Sequence, residues 1–186
     1  DLAHEPALAP ALSGPVAMLA DRFRKTNGAE ASGFHLLIDA REALDARLAL
    51  IDSATTAIDL QYFIWKGDAV GVLLFDRLLR AADRGVRVRL LLDDLDTAGK
   101  DRILRALDAH SNIEVRLFNP FSNREVRAGD FVTDTARINR RMHNKTLTVD
   151  NQATIFGGRN IGDEYFSVDD TVEFADLDAL AIGPVV

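Results

Sequence analysis

The chain has 186 residues, of which 47% are hydrophobic and 27% charged, enough for one globular domain with a full core. A formal net charge of −7 argues against a generally nucleic-acid-binding surface, although a local basic stripe is compatible with it. The absence of cysteine excludes disulfides and thiolate metal sites, and no apolar run approaches the roughly twenty residues needed to cross a bilayer.

In chain order, residues 1–32 are rich in Ala, Pro and Gly and read as a loosely ordered arm with one short helix near 15–25. Residues 34–38 read as a strand. Asp39 and Glu42 have the spacing of a capping box, opening a helix whose apolar positions Leu44, Leu48 and Ile51 keep helical spacing. A strand follows over 58–65. Leu74, Phe75, Leu78, Leu79 and Ala82 then mark a second amphipathic helix, which Gly85 is placed to end. A strand over 86–92 runs into Asp93-Asp94-Leu95-Asp96; a helix over 102–109 and a strand over 113–117 come next. Residues 118–138 are long and irregular, a length that often marks a functional loop. Leu147, Val149 and then Thr154, Phe156 suggest a hairpin turning at Asp150-Asn151-Gln152, and 176–182 gives a last strand. The alternation predicts an α/β fold: a mostly parallel mixed sheet with helices on both faces.

Some charged and aromatic clusters admit two readings. The acidic run at 93–96 suggests magnesium or calcium, but it lacks the glycine and terminal glutamate of a calcium loop. Acids between a strand and a helix more often cap or face water, so no metal is expected. Arg137, Arg140 and Arg141 either offer a seat for lipid phosphate or nucleic-acid backbone, or form a solvated face with Arg141 paired to an acid. Phe118, Pro120 and Phe121 either wedge into a bilayer or acyl groove, or form core beneath the long loop.

The chemistry concentrates in His143-x-Lys145-x4-Asp150-x6-Gly157-Gly158-x-Asn160. Alternation along a strand puts His143 and Lys145 on one face. A two-residue loop Asn151-Gln152 would pair Asp150 with Ala153, Lys145 with Gly158 and His143 with Asn160; a loop shifted by one residue leaves the groups adjacent. Histidine titrates near neutrality and serves as nucleophile or proton carrier. Phosphodiester transition states spread charge over non-bridging oxygens, which Lys145 and the Asn160 amide would face, while Gly157-Gly158 lets the backbone approach a phosphate. Asp150 falls at the turn and reads as structural, bonding its own backbone.

With the lead-in Asn139-x-Arg141, these positions resemble the signature of the phospholipase D superfamily. Asp59-Leu-Gln-Tyr-Phe-Ile-Trp65, Gly85-Val-Arg-Val-Arg-Leu-Leu-Leu-Asp-Asp94, Glu114-Val-Arg-Leu-Phe-Asn-Pro-Phe121 and Asp176-Leu-Asp-Ala-Leu-Ala-Ile-Gly-Pro184 resemble segments of bacterial cardiolipin synthases, most of all the shorter C-type group. The resemblance covers residues 33–186 and implies a phosphatidyltransferase that joins two phospholipids without a cofactor. It implies that His143 attacks phosphorus to form a phosphohistidine and that Asp176, with Asp178 on the same face, orients that ring. Lys145 and Asn160 would hold phosphoryl oxygens, Gly158 would admit the phosphate beside Arg141, and Gly157 and Asp150 would complete the motif. The implied partners are phospholipids at a membrane surface, with the protein peripheral on the inner membrane of a bacterial cell envelope and nucleic acid disfavoured.

The superfamily builds one site from two such motifs, and this chain has a single His-x-Lys. Residues 33–186 therefore read as a phospholipase D-like catalytic half, the amino-terminal half of a longer protein. Its partner would be a second half of the same protein or an identical subunit, and the half alone is expected to be inactive. The alternatives are a phospholipase D-type hydrolase, a homodimeric single-motif nuclease and a non-catalytic lipid-surface module.

Overall fold

The computed structural model describes residues 8–121, 139–168 and 174–186. Four helices, α1 (Pro15–Asn27), α2 (Ala40–Ser53), α3 (Ala69–Asp83) and α4 (Asp101–Asp108), accompany seven strands. These are β1 (Gly33–Leu37), β2 (Ala57–Tyr62), β3 (Arg87–Asp93), β4 (Ile113–Phe118), β5 (Lys145–Val149), β6 (Ala153–Gly157) and β7 (Asp178–Ile182). Local chemistry sets the boundaries. The Asp39 carboxylate accepts the Glu42 N–H at 2.9 Å to open α2, and Asp68 does the same for Gly71 at 3.0 Å to open α3. Gly85, at φ +92°, turns the chain out of α3.

The strands form one sheet in the order β1-β7-β6-β5-β2-β3-β4. The α/β class and the mixed sheet are as expected, but the balance is not mostly parallel. Only β2-β3 and β3-β4 run parallel, and the other four pairings are antiparallel. The reason is that helical crossovers α3 and α4 join only β2, β3 and β4, whereas β5 and β6 meet through a tight turn. The helices also differ from expectation. Their buried residues, including Leu50, Ile51, Leu74, Phe75, Leu78, Leu104 and Leu107, join Ile58, Leu60, Val88, Leu90, Leu147, Val149 and Ile155 in one core. These strand positions alternate with Asp59, Gln61, Arg89 and Thr148, which face the other side, where no helix packs among the described residues. Phe34, Leu36 and Phe156 lie exposed on that open side.

The amino-terminal stretch is likewise not a loose arm from Ala11 onward. Val16, Ala17 and Ala20 bury one side of α1, Arg24 donates to Gln152 at 3.1 Å, and Gln152 donates to the Ala11 carbonyl at 2.7 Å. A stripe of small apolar residues suffices to dock the helix on the β5–β6 turn.

That turn is one residue longer than the two-residue loop considered from sequence. Val149 pairs with Ala153, so the loop is Asp150-Asn151-Gln152 and Lys145 comes opposite Gly157 rather than Gly158. Asp150 and Asn151 both adopt positive φ, at 56° and 48°, which takes Asp150 out of the strand. Its carboxylate bonds not its own backbone but the α2–β2 connection. It accepts from the N–H groups of Thr55, Thr56 and Ala57 and from the hydroxyls of Thr55 and Thr56, at 2.8–3.2 Å. Burial pushes this carboxyl pKa up, but the hydrogen bonds from the Ala57 and Thr56 backbone and the Thr55 and Thr56 hydroxyls outweigh it, and the net shift is below the ordinary value.

A second buried carboxylate joins α2 to β7, at the start of that strand. Asp178 accepts from Arg47 at 2.9 Å and from the Arg159 backbone and guanidinium at 3.2 and 3.4 Å. Arg47 also donates to the Ala43 carbonyl and the Tyr62 hydroxyl, and Arg159 to the carbonyls of Leu37 and Ile38. Such a cluster is destabilising if one member is removed, because the others stay buried and uncompensated.

Replacing Asp150 by Ala strands five donors, and urea unfolding should register a loss of about 3–4 kcal/mol. The depressed carboxyl makes this contribution present above the ordinary carboxylate pKa of about 3.9 and lost as pH falls through the lower folded value. The wild-type and Ala curves should therefore converge in acid; a stability gap undiminished there would refute this role.

Candidate active site

The motif residues gather where β2 and β3 end and β5 begins, the carboxyl edge at which parallel α/β strands usually present ligand sites. His143 lies just before β5 and is exposed. Among the described residues its ring makes no hydrogen bond, and it rests against Phe63 with centroids 4.8 Å apart. Lys145, across from Tyr62, is 4% exposed, and its Nζ donates to the His143 carbonyl at 3.0 Å. Burial lowers its pKa from the ordinary lysine value, partly opposed by the Asp176 carboxylate. A free imidazole and a buried cation thus sit side by side.

The acidic run after β3 holds the approach to His143. Asp93, fully buried, accepts from Leu95 N–H at 2.9 Å, Arg141 Nη1 at 3.0 Å and Met142 N–H at 2.8 Å. Asp94 accepts from the Phe121 N–H at 2.8 Å and the Thr97 hydroxyl, and Asp96 from the Trp65 N–H at 3.1 Å and from Lys100. Each carboxylate is satisfied by backbone, hydroxyl or cation, so these acids act as anchors. Arg141 also donates to the Asn119 carbonyl and lies 5.0 Å from the centroid of the buried Phe121 ring. Its structural pairing with Asp93 is therefore present, while Phe118 stays exposed. Arg137 and residues 122–138 of the long loop lie outside the described residues.

The two glycines have close neighbours that are not backbone of their own strand. A Cβ on Gly157 would fall 2.2 Å from an Asp178 oxygen, and one on Gly158 1.7 Å from an Asp176 oxygen. The space left by the missing side chains is filled by carboxylates, with Gly158 N–H bonded to the Leu177 carbonyl at 3.0 Å. Asp176 therefore lies on Gly158 and within electrostatic reach of Lys145; no hydrogen bond joins it to His143 among the described residues. Asn160 is 4% exposed, accepting from the Ile64 N–H and donating to the Tyr165 hydroxyl, both at 3.0 Å.

His143, Lys145, Asp176, Gly158 and Asn160 lie toward one edge, as expected; Asp93, expected to cap or face water, is instead a buried anchor, and the contact of Phe63 with His143 and the pairing of Asp178 with Arg47 and Arg159 were not foreseen. Two buried consecutive aspartates after a strand carry a weak signal that they anchor a loop; a phenylalanine and an arginine inside apolar patterns carry none. Replacing Asp93 by Asn leaves Arg141 without its counter-charge, and urea unfolding should show a loss of about 3 kcal/mol. An unchanged midpoint would rule out the anchoring role.

Residues 48–175 match the family model described as cardiolipin synthase, PLD-like domain. Cardiolipin synthase C of Escherichia coli K12 is 58% identical over 145 residues, 78% of this chain and 31% of its own. The major cardiolipin synthase ClsA of Bacillus subtilis is 33% identical over 141 residues, 75% of this chain and 27% of its own. The chain thus spans less than a third of the length of these curated relatives. Among solved structures, NucT from Helicobacter pylori shares the fold with a TM-score of 0.58 at 15% identity, over 82% of this chain and 85% of its own. Phosphatidylserine synthase of Haemophilus influenzae gives 0.58 at 17% identity, over 80% of this chain and 33% of its own. Matched over more than half of its length, the chain belongs to the phospholipase D-like family of cardiolipin synthases.

Proposed function

We propose that this chain is the amino-terminal half of a phosphatidyltransferase that forms cardiolipin from two phospholipids. The observation that supports it most is the exposed His143 imidazole, free of hydrogen bonds among the described residues, beside a buried ammonium that no ion pair neutralises among those residues. An imidazole nitrogen attacks phosphorus, the N–P bond forms, and the bond to the leaving alcohol breaks. A second histidine, supplied by another phospholipase D-like half or an identical subunit, protonates that alcohol. It then takes the proton of an incoming glycerol hydroxyl, whose oxygen displaces His143.

Lys145 stabilises charge on the non-bridging oxygens, with Asn160, Gly158 and Arg141 as further phosphate-side groups. Asn160 retains a second amide hydrogen for this after its bond to Tyr165. Asp176 completes the arrangement by orienting His143, which requires its carboxylate to swing from Gly158 toward the ring. No cofactor enters the scheme. The work takes place at the membrane surface, peripheral on the inner membrane of the cell envelope; no helix of the described residues is long and apolar enough to cross a bilayer.

In the full-length protein, His143→Ala should lower transfer of radiolabelled phosphatidyl groups by at least about a thousandfold. Retained turnover would remove His143 from the mechanism, and release of phosphatidic acid without cardiolipin in the wild type would instead indicate hydrolysis. Because burial lowers the Lys145 pKa, the alkaline limb of kcat/KM should fall below the ordinary lysine value of about 10.4, as loss of its proton removes the fixed charge.

A further inference from the structure

Phe63, which follows β2 directly, touches both principal motif side chains. Its ring centroid lies 4.8 Å from that of His143, tilted by 49°, and Lys145 Nζ lies 5.3 Å from the same centroid. The ammonium also donates to the His143 backbone carbonyl at 3.0 Å, so the phenyl ring meets the imidazole and an ammonium that is itself tied to the His143 main chain. The backbone carrying Phe63 is held on its far side. The Ile64 N–H donates to Asn160 at 3.0 Å, the Ile161 N–H to the Ile64 carbonyl at 3.1 Å, and the Lys66 N–H to the Ile161 carbonyl at 2.8 Å. Trp65, two residues on, donates its N–H to Asp96, stacks on Phe75 with centroids 4.6 Å apart and meets Tyr62 edge-on at 5.4 Å.

We propose that Phe63 is a positioning residue for the phosphodiester chemistry, fixing the His143 ring and giving the buried Lys145 ammonium an aromatic face in place of a carboxylate. An aromatic contact locates an imidazole without occupying either ring nitrogen. One nitrogen stays available for phosphorus and the other for an orienting carboxylate. The negative face of the phenyl ring stabilises the ammonium without cancelling the charge that a phosphoryl oxygen needs, which an ion pair would do. Asn160 acquires a second role in this scheme, as a brace for the segment that carries the ring.

The inference rests on His143 being the nucleophile, so the test includes His143→Ala. In the full-length protein, Phe63→Tyr and Phe63→Trp keep the aromatic face, whereas Phe63→Leu and Phe63→Met remove it and retain much of the apolar bulk. Transfer on vesicles containing phosphatidylglycerol should show kcat lowered roughly ten- to a hundredfold in the Leu and Met variants with KM within about twofold. The Tyr and Trp variants should stay within about threefold of wild type in kcat. Melting midpoints identify a variant that fails to fold, and its partner in the same pair then decides. Equal kcat across the folded variants, or aromatic variants as impaired as aliphatic ones, would overturn the positioning role while His143→Ala remains inactive. Turnover by His143→Ala would overturn the reading of the site itself, whatever Phe63 does.

Discussion

Strand β5, which carries the motif, is held at both ends by a buried carboxylate, and the site depends on this. At its entry Asp93 ties the Arg141 guanidinium and the Met142 N–H to the end of β3, leaving His143 as the next residue. At its exit Asp150 collects five donors from the connection that leads into β2. Asp150 acts on the connection into β2, the direct neighbour of β5, and Asp93 reaches from the end of β3, one strand further across the sheet, so the register of Tyr62 against Lys145 is held from two directions. A histidine at the edge of a sheet would otherwise sit on a segment free to fray.

Much of this was legible in the sequence, for identifiable reasons. Capping residues and apolar periodicity located α2 and α3, and alternation about the hairpin brought His143, Lys145, Gly157, Gly158 and Asn160 toward one edge of the sheet. What stayed hidden depends on distance in the chain. Asp93 meets Arg141 across 48 residues and Asp178 meets Arg47 across 131, and no local pattern encodes such partners. The balance of the sheet was misjudged because alternation of strands and helices holds only through β4; the antiparallel return of β5, β6 and β7 follows from a turn and from edge pairings. The turn at Asp150-Asn151-Gln152 was legible, but its exact register was not, because only the positive φ of Asp150 decides between a two- and a three-residue loop.

The cluster around Asp178 bears on electrostatics as well as on packing. Two guanidiniums share one carboxylate directly beneath Gly157, so this cluster taken by itself holds one cation more than it has carboxylates. Burial keeps these guanidiniums away from solvent, so beyond their own hydrogen bonds they act through their field and not through contacts.

The one-sided covering of the sheet divides its residues by parity. On β2 and β3 the even positions Ile58, Leu60, Val88 and Leu90 face the helices, and on β5 and β6 the odd positions Leu147, Val149, Ala153 and Ile155 do so. Their immediate neighbours Asp59, Arg89, Thr148 and Thr154 meet no helix and pair with one another, Arg89 with Asp59 and Thr148 with Thr154, so a change there disturbs no helix packing. A comparison of distant relatives would therefore show a comb of constant and variable columns, with its teeth shifted by one between the parallel and the antiparallel halves.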